Sequence, residues 1–178
     1  MATRKELLAE FEKMENERQQ LLKKLEPFSE VVLTKKPDAN TWSVTEVIYH
    51  LKVAEEGALK YMQKKLEVGG HDKAMFGASV KQKLLNLAIS LPVKYKAPKV
   101  AQIPEGTNVS YEQALTEWNE IRNSLKSEYD SVDEAIIGNE LFKHPMAGKL
   151  SILQSVKFMR QHMNRHIGQI DRILKAVT

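Results

Sequence analysis

Four times along this chain a serine or threonine stands three positions before a glutamate or glutamine and opens a long amphipathic stretch. The four starts are Thr3-x-x-Glu6, Ser43-x-x-Glu46, Ser110-x-x-Gln113 and Ser151-x-x-Gln154. In a capping box of this kind the hydroxyl accepts from the backbone N–H three residues on, while the Glu or Gln side chain reaches back to the cap's own N–H. Donors that a helix start leaves orphaned are thereby satisfied locally. Behind each start the apolar residues recur at three- and four-residue spacing, which is the helical period and not the period of two that strands require.

Behind Thr3 the repeating positions are Leu7, Leu8, Phe11, Met14, Arg18, Leu21, Leu22 and Leu25, so the first helix is predicted over 4–26, stopped by Pro27. Pro37-Asp38-Ala39-Asn40 is loop chemistry. The second helix starts at Ser43, with Trp42 and Val47 in the positions of a hydrophobic staple, and Gly69-Gly70 is its natural stop. At about 100° per residue, Val47, Leu51, Ala54, Ala58, Tyr61 and Met62 fall within about 60° of one line. Phe76, Val80, Leu84, Leu87 and Leu91 predict a shorter helix over 74–90. Pro92, Pro98 and Pro104 then make 91–109 an irregular crossover expected to lie across the bundle near the site.

Ser110 opens a helix to about 131 with Ala114, Leu115, Trp118, Ile121, Leu125 and Tyr129 on its inner face. Gly138 to Gly148 reads as a connector. The last helix carries Ile152, Val156, Met159, Met163, Ile170 and Leu174 as its stripe. No strand pattern competes, so essentially no sheet is expected. The expectation is an all-α four-helix bundle with one additional short helix and a long irregular crossover, residues 1–178 forming a single domain.

The 178 residues include no cysteine, so a protein thiol is excluded as nucleophile, disulfide or metal ligand. Any ion must be held by histidine, carboxylate or water. No run approaches the ~20 apolar residues of a membrane span, and no apolar segment follows the charged N-terminus; a soluble cytoplasmic protein is expected, with no membrane partner. The net charge is +4 and the isoelectric point near 9.1, yet the lysines are interspersed with acids and no basic-aromatic interleaving occurs. A solvated surface explains them, and no nucleic-acid partner is expected.

Only five histidines are present. His162 and His166 are four apart on the last helix, which stacks both imidazoles on one face about 6 Å apart, as two ligands of one ion require. They lie at about 80° and 40° to one side of the apolar stripe. His50 occupies a similar edge on the second helix. Histidines at the edges of stripes on two different helices meet inside a bundle, so His50, His162 and His166 form a candidate metal triad. The competing reading is a buried polar cluster satisfied by carboxylates or water. His71 reads as a loop residue, Met159, Met163 and both tryptophans as core, and His144-Pro145 either as a pair that shapes the connector or as one that the connector brings near the mouth of the bundle.

Thr41-Trp42-Ser43-x-x-Glu46-Val47-x-x-His50-Leu51, His144-Pro145-x-x-Gly148-x-Leu150-Ser151 and His162-x-x-x-His166-Ile167-Gly168-Gln169-Ile170 together resemble the DinB-like superfamily, which includes the YfiT-like metal-dependent hydrolases. The resemblance covers most of the chain. It implies a four-helix bundle with a three-histidine divalent site for nickel or zinc, carried here by His50, His162 and His166. It also implies a small-molecule substrate, with thiol S-transferases and isomerases that use low-molecular-weight thiols such as bacillithiol or mycothiol among the members.

Three neutral histidines leave coordination positions open, which is the mark of a catalytic rather than a structural ion. A metal-dependent thiol transferase or hydrolase is one expectation, with the catalytic base unknown and Glu117 and Glu120 its candidates. A non-catalytic metal- or ligand-binding stress-response bundle is the other. A homodimer is compatible with either.

Overall fold

The computed structural model describes residues 2–69, 72–73, 108–144 and 148–178. Four long helices stand behind the four caps: α1 (Arg4–Leu25), α3 (Val44–Val68), α4 (Tyr111–Ser131) and α5 (Ile152–Val177). Thr3, Ser43 and Ser151 each close both halves of a capping box. At α4 only the Ser110 half forms, because the Gln113 side chain turns forward and donates to Glu117 at 2.9 Å instead of reaching back. Gly69 caps α3 with φ at 68°, a left-handed conformation that glycine adopts without steric cost.

Side-chain pairs fix the helix directions. Arg160 of α5 pairs with Glu10 and Glu17 of α1, and Asp171 with Lys24, so α1 and α5 run parallel. Lys52 pairs with Glu117 and Gln63 with Glu128, so α3 and α4 also run parallel. Phe11 packs edge-on against Tyr129 while Arg18 donates to Asn119, which makes α1 and α4 antiparallel. Each long helix therefore has one parallel and one antiparallel neighbour, and α1 lies diagonally across from α3. Parallel neighbours cannot be joined by a tight turn. The predicted short helix over 74–90 and residues 91–107 of the predicted crossover fall between α3 and α4 but lie outside the described residues.

The core between the helices includes Leu7, Met14, Val47, Ile48, Leu51, Trp118, Val156, Met163 and Ile170, all fully buried. Full burial of one such aliphatic side chain contributes about 1.5–3 kcal/mol. The buried face of α3 is Ile48, Leu51, Glu55, Leu59 and Met62. Ala54 and Ala58, expected near the centre of that stripe, are only half-buried.

Two elements depart from the expectation. A five-residue helix, α2 (Glu30–Thr34), follows α1 and is too short to show a period. Its Leu33 is buried, and its backbone carbonyl accepts from the Thr45 hydroxyl at 3.1 Å, which ties α2 to the first turn of α3. The connector over Gly138–Gly148 contains strand: β2 (Asn139–His144) pairs antiparallel with β3 (Gly148–Ser151), and the two-residue β1 (Asp72–Lys73) joins the outer edge of β2. Between Glu140 and Phe142 the register slips by one residue, a bulge at Leu141. The bulge breaks the alternation that a sequence reading depends on, while Leu141 and Leu150 are still buried. Helices nonetheless dominate, and the all-α bundle stands with this small sheet attached. No helix among the described residues is long and apolar enough to cross a membrane.

Candidate metal centre

His50 lies in the second turn of α3, and the position of that turn is held from three sides. Ser43 and Glu46 cap it, Lys36 pairs with Glu46 at 2.7 Å, and Thr45 is hydrogen-bonded to α2. The antiparallel α5 brings His162 and His166 opposite, one turn apart on the face toward α3. The Nε2 atom of His162 stands 3.1 Å from Nε2 of His166 and 3.4 Å from Nε2 of His50. One ring nitrogen from each of the three lies within 4.8 Å of the others.

The spacing can be tested against a metal's own geometry. For a metal–nitrogen distance of ~2.0–2.1 Å, two ligand nitrogens are about 2.9 Å apart at a right angle and about 3.3 Å apart at the tetrahedral angle. The two observed separations lie at or near that range, so the three imidazoles can hold one ion with little rearrangement. His162 Nε2 faces two other ring nitrogens and can offer at most one proton between them.

His50, 2 % exposed, and His166 are buried, whereas His162 is half-buried. Burial pushes the His166 imidazole down to about 4, with the charge of a protonated His50 pushing the same way and the hydrogen bond to Gln169 opposing. At neutral pH this ring is therefore in the uncharged form that ligates. Two aromatic rings border the triad. Trp42, expected to staple onto Val47, sits with its ring 5.0 Å from that of His50, and Phe158 stacks nearly flat on His162 at 6.1 Å and 9°. The hairpin supports that second ring, because Leu150 is buried with Phe142 and Phe158 packed on it, and Phe142 meets Tyr61 of α3 edge-on.

A family model described as the DinB superfamily matches residues 13–170. The chain belongs to the DinB superfamily. It is also 27 % identical over 153 residues to the uncharacterized protein YuaE of Bacillus subtilis (strain 168), a match covering 86 % of this chain and 90 % of that one. No solved structure matches. DinB membership and the three-histidine group are together compatible with a metal-binding protein.

Within this DinB bundle the sequence candidates separate. His50, His162 and His166 come together. His71 lies outside the described residues, and His144 contributes its backbone to the β2–β3 pairing. Glu117, a candidate base, is taken up by Lys52 and Gln113, each at 2.9 Å, and these hydrogen bonds hold its carboxyl below the usual range; Glu120 is exposed. Sequence reasoning gave no role to Gln169 or Phe158. Gln169 accepts from His166 Nδ1 at 2.9 Å. The signal that could have found it is its place one helical turn after a candidate ligand, where side chains meet.

Proposed function

We propose that this protein is a metal-dependent enzyme of the thiol S-transferase or hydrolase type acting on a small molecule, with His50, His162 and His166 holding one divalent ion, zinc or nickel. The observation that carries the proposal is the convergence of three Nε2 atoms, that of His162 lying 3.1 Å from His166 and 3.4 Å from His50, at spacings that suit one ion. An ion held there would supply Lewis acidity, lowering the pKa of a water or thiol bound to it.

The chain's own residues supply the rest. Three neutral imidazoles add no negative charge, so the ion's full charge is left for its remaining ligands. Trp42 and Phe158 border the triad with apolar surface, which excludes water and strengthens electrostatic interactions there. The chain has no cysteine, so in the transferase reaction the thiol must arrive with a cosubstrate. The capture of Glu117 by Lys52 favours a second reading, a non-catalytic metal-binding bundle, because that carboxylate is not left to move protons.

The decisive experiment is elemental analysis of the purified protein, followed by a screen of low-molecular-weight thiols against electrophiles, and of hydrolysable esters and amides, with that metal restored. Turnover that disappears with a chelator and returns with metal is expected. Stoichiometric metal with no turnover across the screen would favour the non-catalytic bundle, and absence of metal uptake would leave a buried polar cluster.

A further inference from the structure

A neutral imidazole carries one ring proton, and which nitrogen holds it decides which nitrogen can ligate. His166 presents Nε2 to His162 Nε2 at 3.1 Å and Nδ1 to the Gln169 amide oxygen at 2.9 Å. A carbonyl oxygen only accepts, so the contact requires the proton on Nδ1 and leaves the Nε2 lone pair facing the triad. Were the amide turned to present its NH2 group, the proton would move to Nε2 and point at His162 Nε2, 3.1 Å away, and His166 could not ligate through that atom. The pair is built into α5 itself: positions three apart stack on one helix face, and both residues are at least half-buried, so water competes weakly for Nδ1.

We propose that Gln169 is the positioning residue of this centre, locking His166 in the Nδ1–H tautomer and aiming its Nε2 at the ion. The metal part of this proposal rests on the function proposed above, whereas the tautomer part does not. Hydrogen bonding to the far nitrogen also raises a ligand's basicity, and losing such a partner typically weakens metal affinity by about 10- to 100-fold.

The test uses the full metal-free chain, Gln169→Leu and Gln169→Glu. Leucine keeps the volume and removes the acceptor, and glutamate keeps an acceptor in place. Two readouts are taken: long-range proton–nitrogen correlation spectra, which report the tautomer of His166, and zinc affinity by competition with a chromophoric chelator. The expected results are an Nδ1–H His166 in the wild type, a shift toward the other tautomer with about 10- to 100-fold weaker zinc binding in Gln169→Leu, and retention of both properties in Gln169→Glu. An Nε2–H His166 in the wild type overturns the proposal. So does a Gln169→Leu protein with an unchanged spectrum, or with zinc affinity within twofold of wild type. If the wild type takes up neither zinc nor nickel, the metal reading of the site fails, and the spectra alone then decide the role of Gln169.

Discussion

Arg122 holds Glu55 by both edges: Nε donates to Oε2 at 2.7 Å and Nη2 to Oε1 at 2.8 Å, with both side chains almost wholly buried between α3 and α4. Trp118 Nε1 donates a third hydrogen bond to Oε2 at 2.9 Å, and the indole face lies against the Arg122 guanidinium. The pair carries opposite charges out of water, and its bidentate geometry with a neutral donor added offsets the cost of doing so.

Glu55→Ala should therefore destabilise the protein by about 3–5 kcal/mol, because it leaves a buried indole N–H without its acceptor and a buried guanidinium whose remaining carboxylate contact is the long 3.4 Å one from Nη1 to Glu15. The double change Glu55→Leu with Arg122→Met should cost much less than the two single changes summed. Urea unfolding of the four proteins in one double-mutant cycle checks this. Additive losses would mean that the two side chains do not depend on each other.

This pair also marks where the sequence stops being readable. The helices were legible because their caps are local, involving residues three apart, and because apolar periodicity accumulates over many turns. The triad was legible because a four-residue spacing and an edge-of-stripe position are also local properties. Glu55 and Arg122 gave no such signal: charged residues are seldom fully buried, and their burial depends on α3 and α4 lying side by side, which no local pattern states. The same holds for the parallel pairing of α3 with α4. The hairpin was hidden because β3 is four residues long and β2 carries a bulge, so neither shows a sustained alternation. Arg18 did fall on the α1 stripe by spacing alone, and it is buried there, bonded to Glu15 and Asn119.

Glu15 should make stability pH-dependent. Burial pushes its carboxyl up, but hydrogen bonds from Arg18 and Gln19 outweigh burial and hold it below its ordinary value of 4.5. A carboxyl whose value is lower in the folded protein than in the unfolded chain contributes stability that is present above about 4.5 and is lost as pH falls through the folded value. Glu15→Gln should be less stable than wild type at pH 7 and closer to it at pH 3, as measured by urea midpoints of the metal-free proteins. An equal gap at both pH values would remove Glu15 from the acid response.

The incomplete box at α4 separates two residues that look alike in sequence. Glu46 accepts from the Ser43 N–H at 2.8 Å and pairs with Lys36, while Gln113 does not reach its own cap. Glu46→Ala should cost about 1 kcal/mol, in the range of a lost helix cap, and Gln113→Ala should stay within about 0.5 kcal/mol of wild type. Thermal unfolding of the metal-free variants distinguishes them. Equal losses would show that the Gln113 side chain reaches the α4 cap in solution.

If His50, His162 and His166 hold one ion, His50→Ala, His162→Ala and His166→Ala should each reduce zinc or nickel occupancy sharply, by more than the loss expected for Gln169→Leu, because a ligand is removed rather than its support. His71→Ala, the control that the sequence nominates, should bind as wild type does. Folding should respond differently from binding. The long helices carry their own caps and bury their own apolar faces, so the three variants and the metal-free wild type should keep the same helical circular dichroism. Metal should then stabilise the wild type by RT ln(1 + [L]/Kd), about 3 to 4 kcal/mol at a few hundred times Kd, and should leave the unfolding of the three variants nearly unmoved. Wild type and variants gaining equally from added metal would place the ion elsewhere on the chain and return these three histidines to the core.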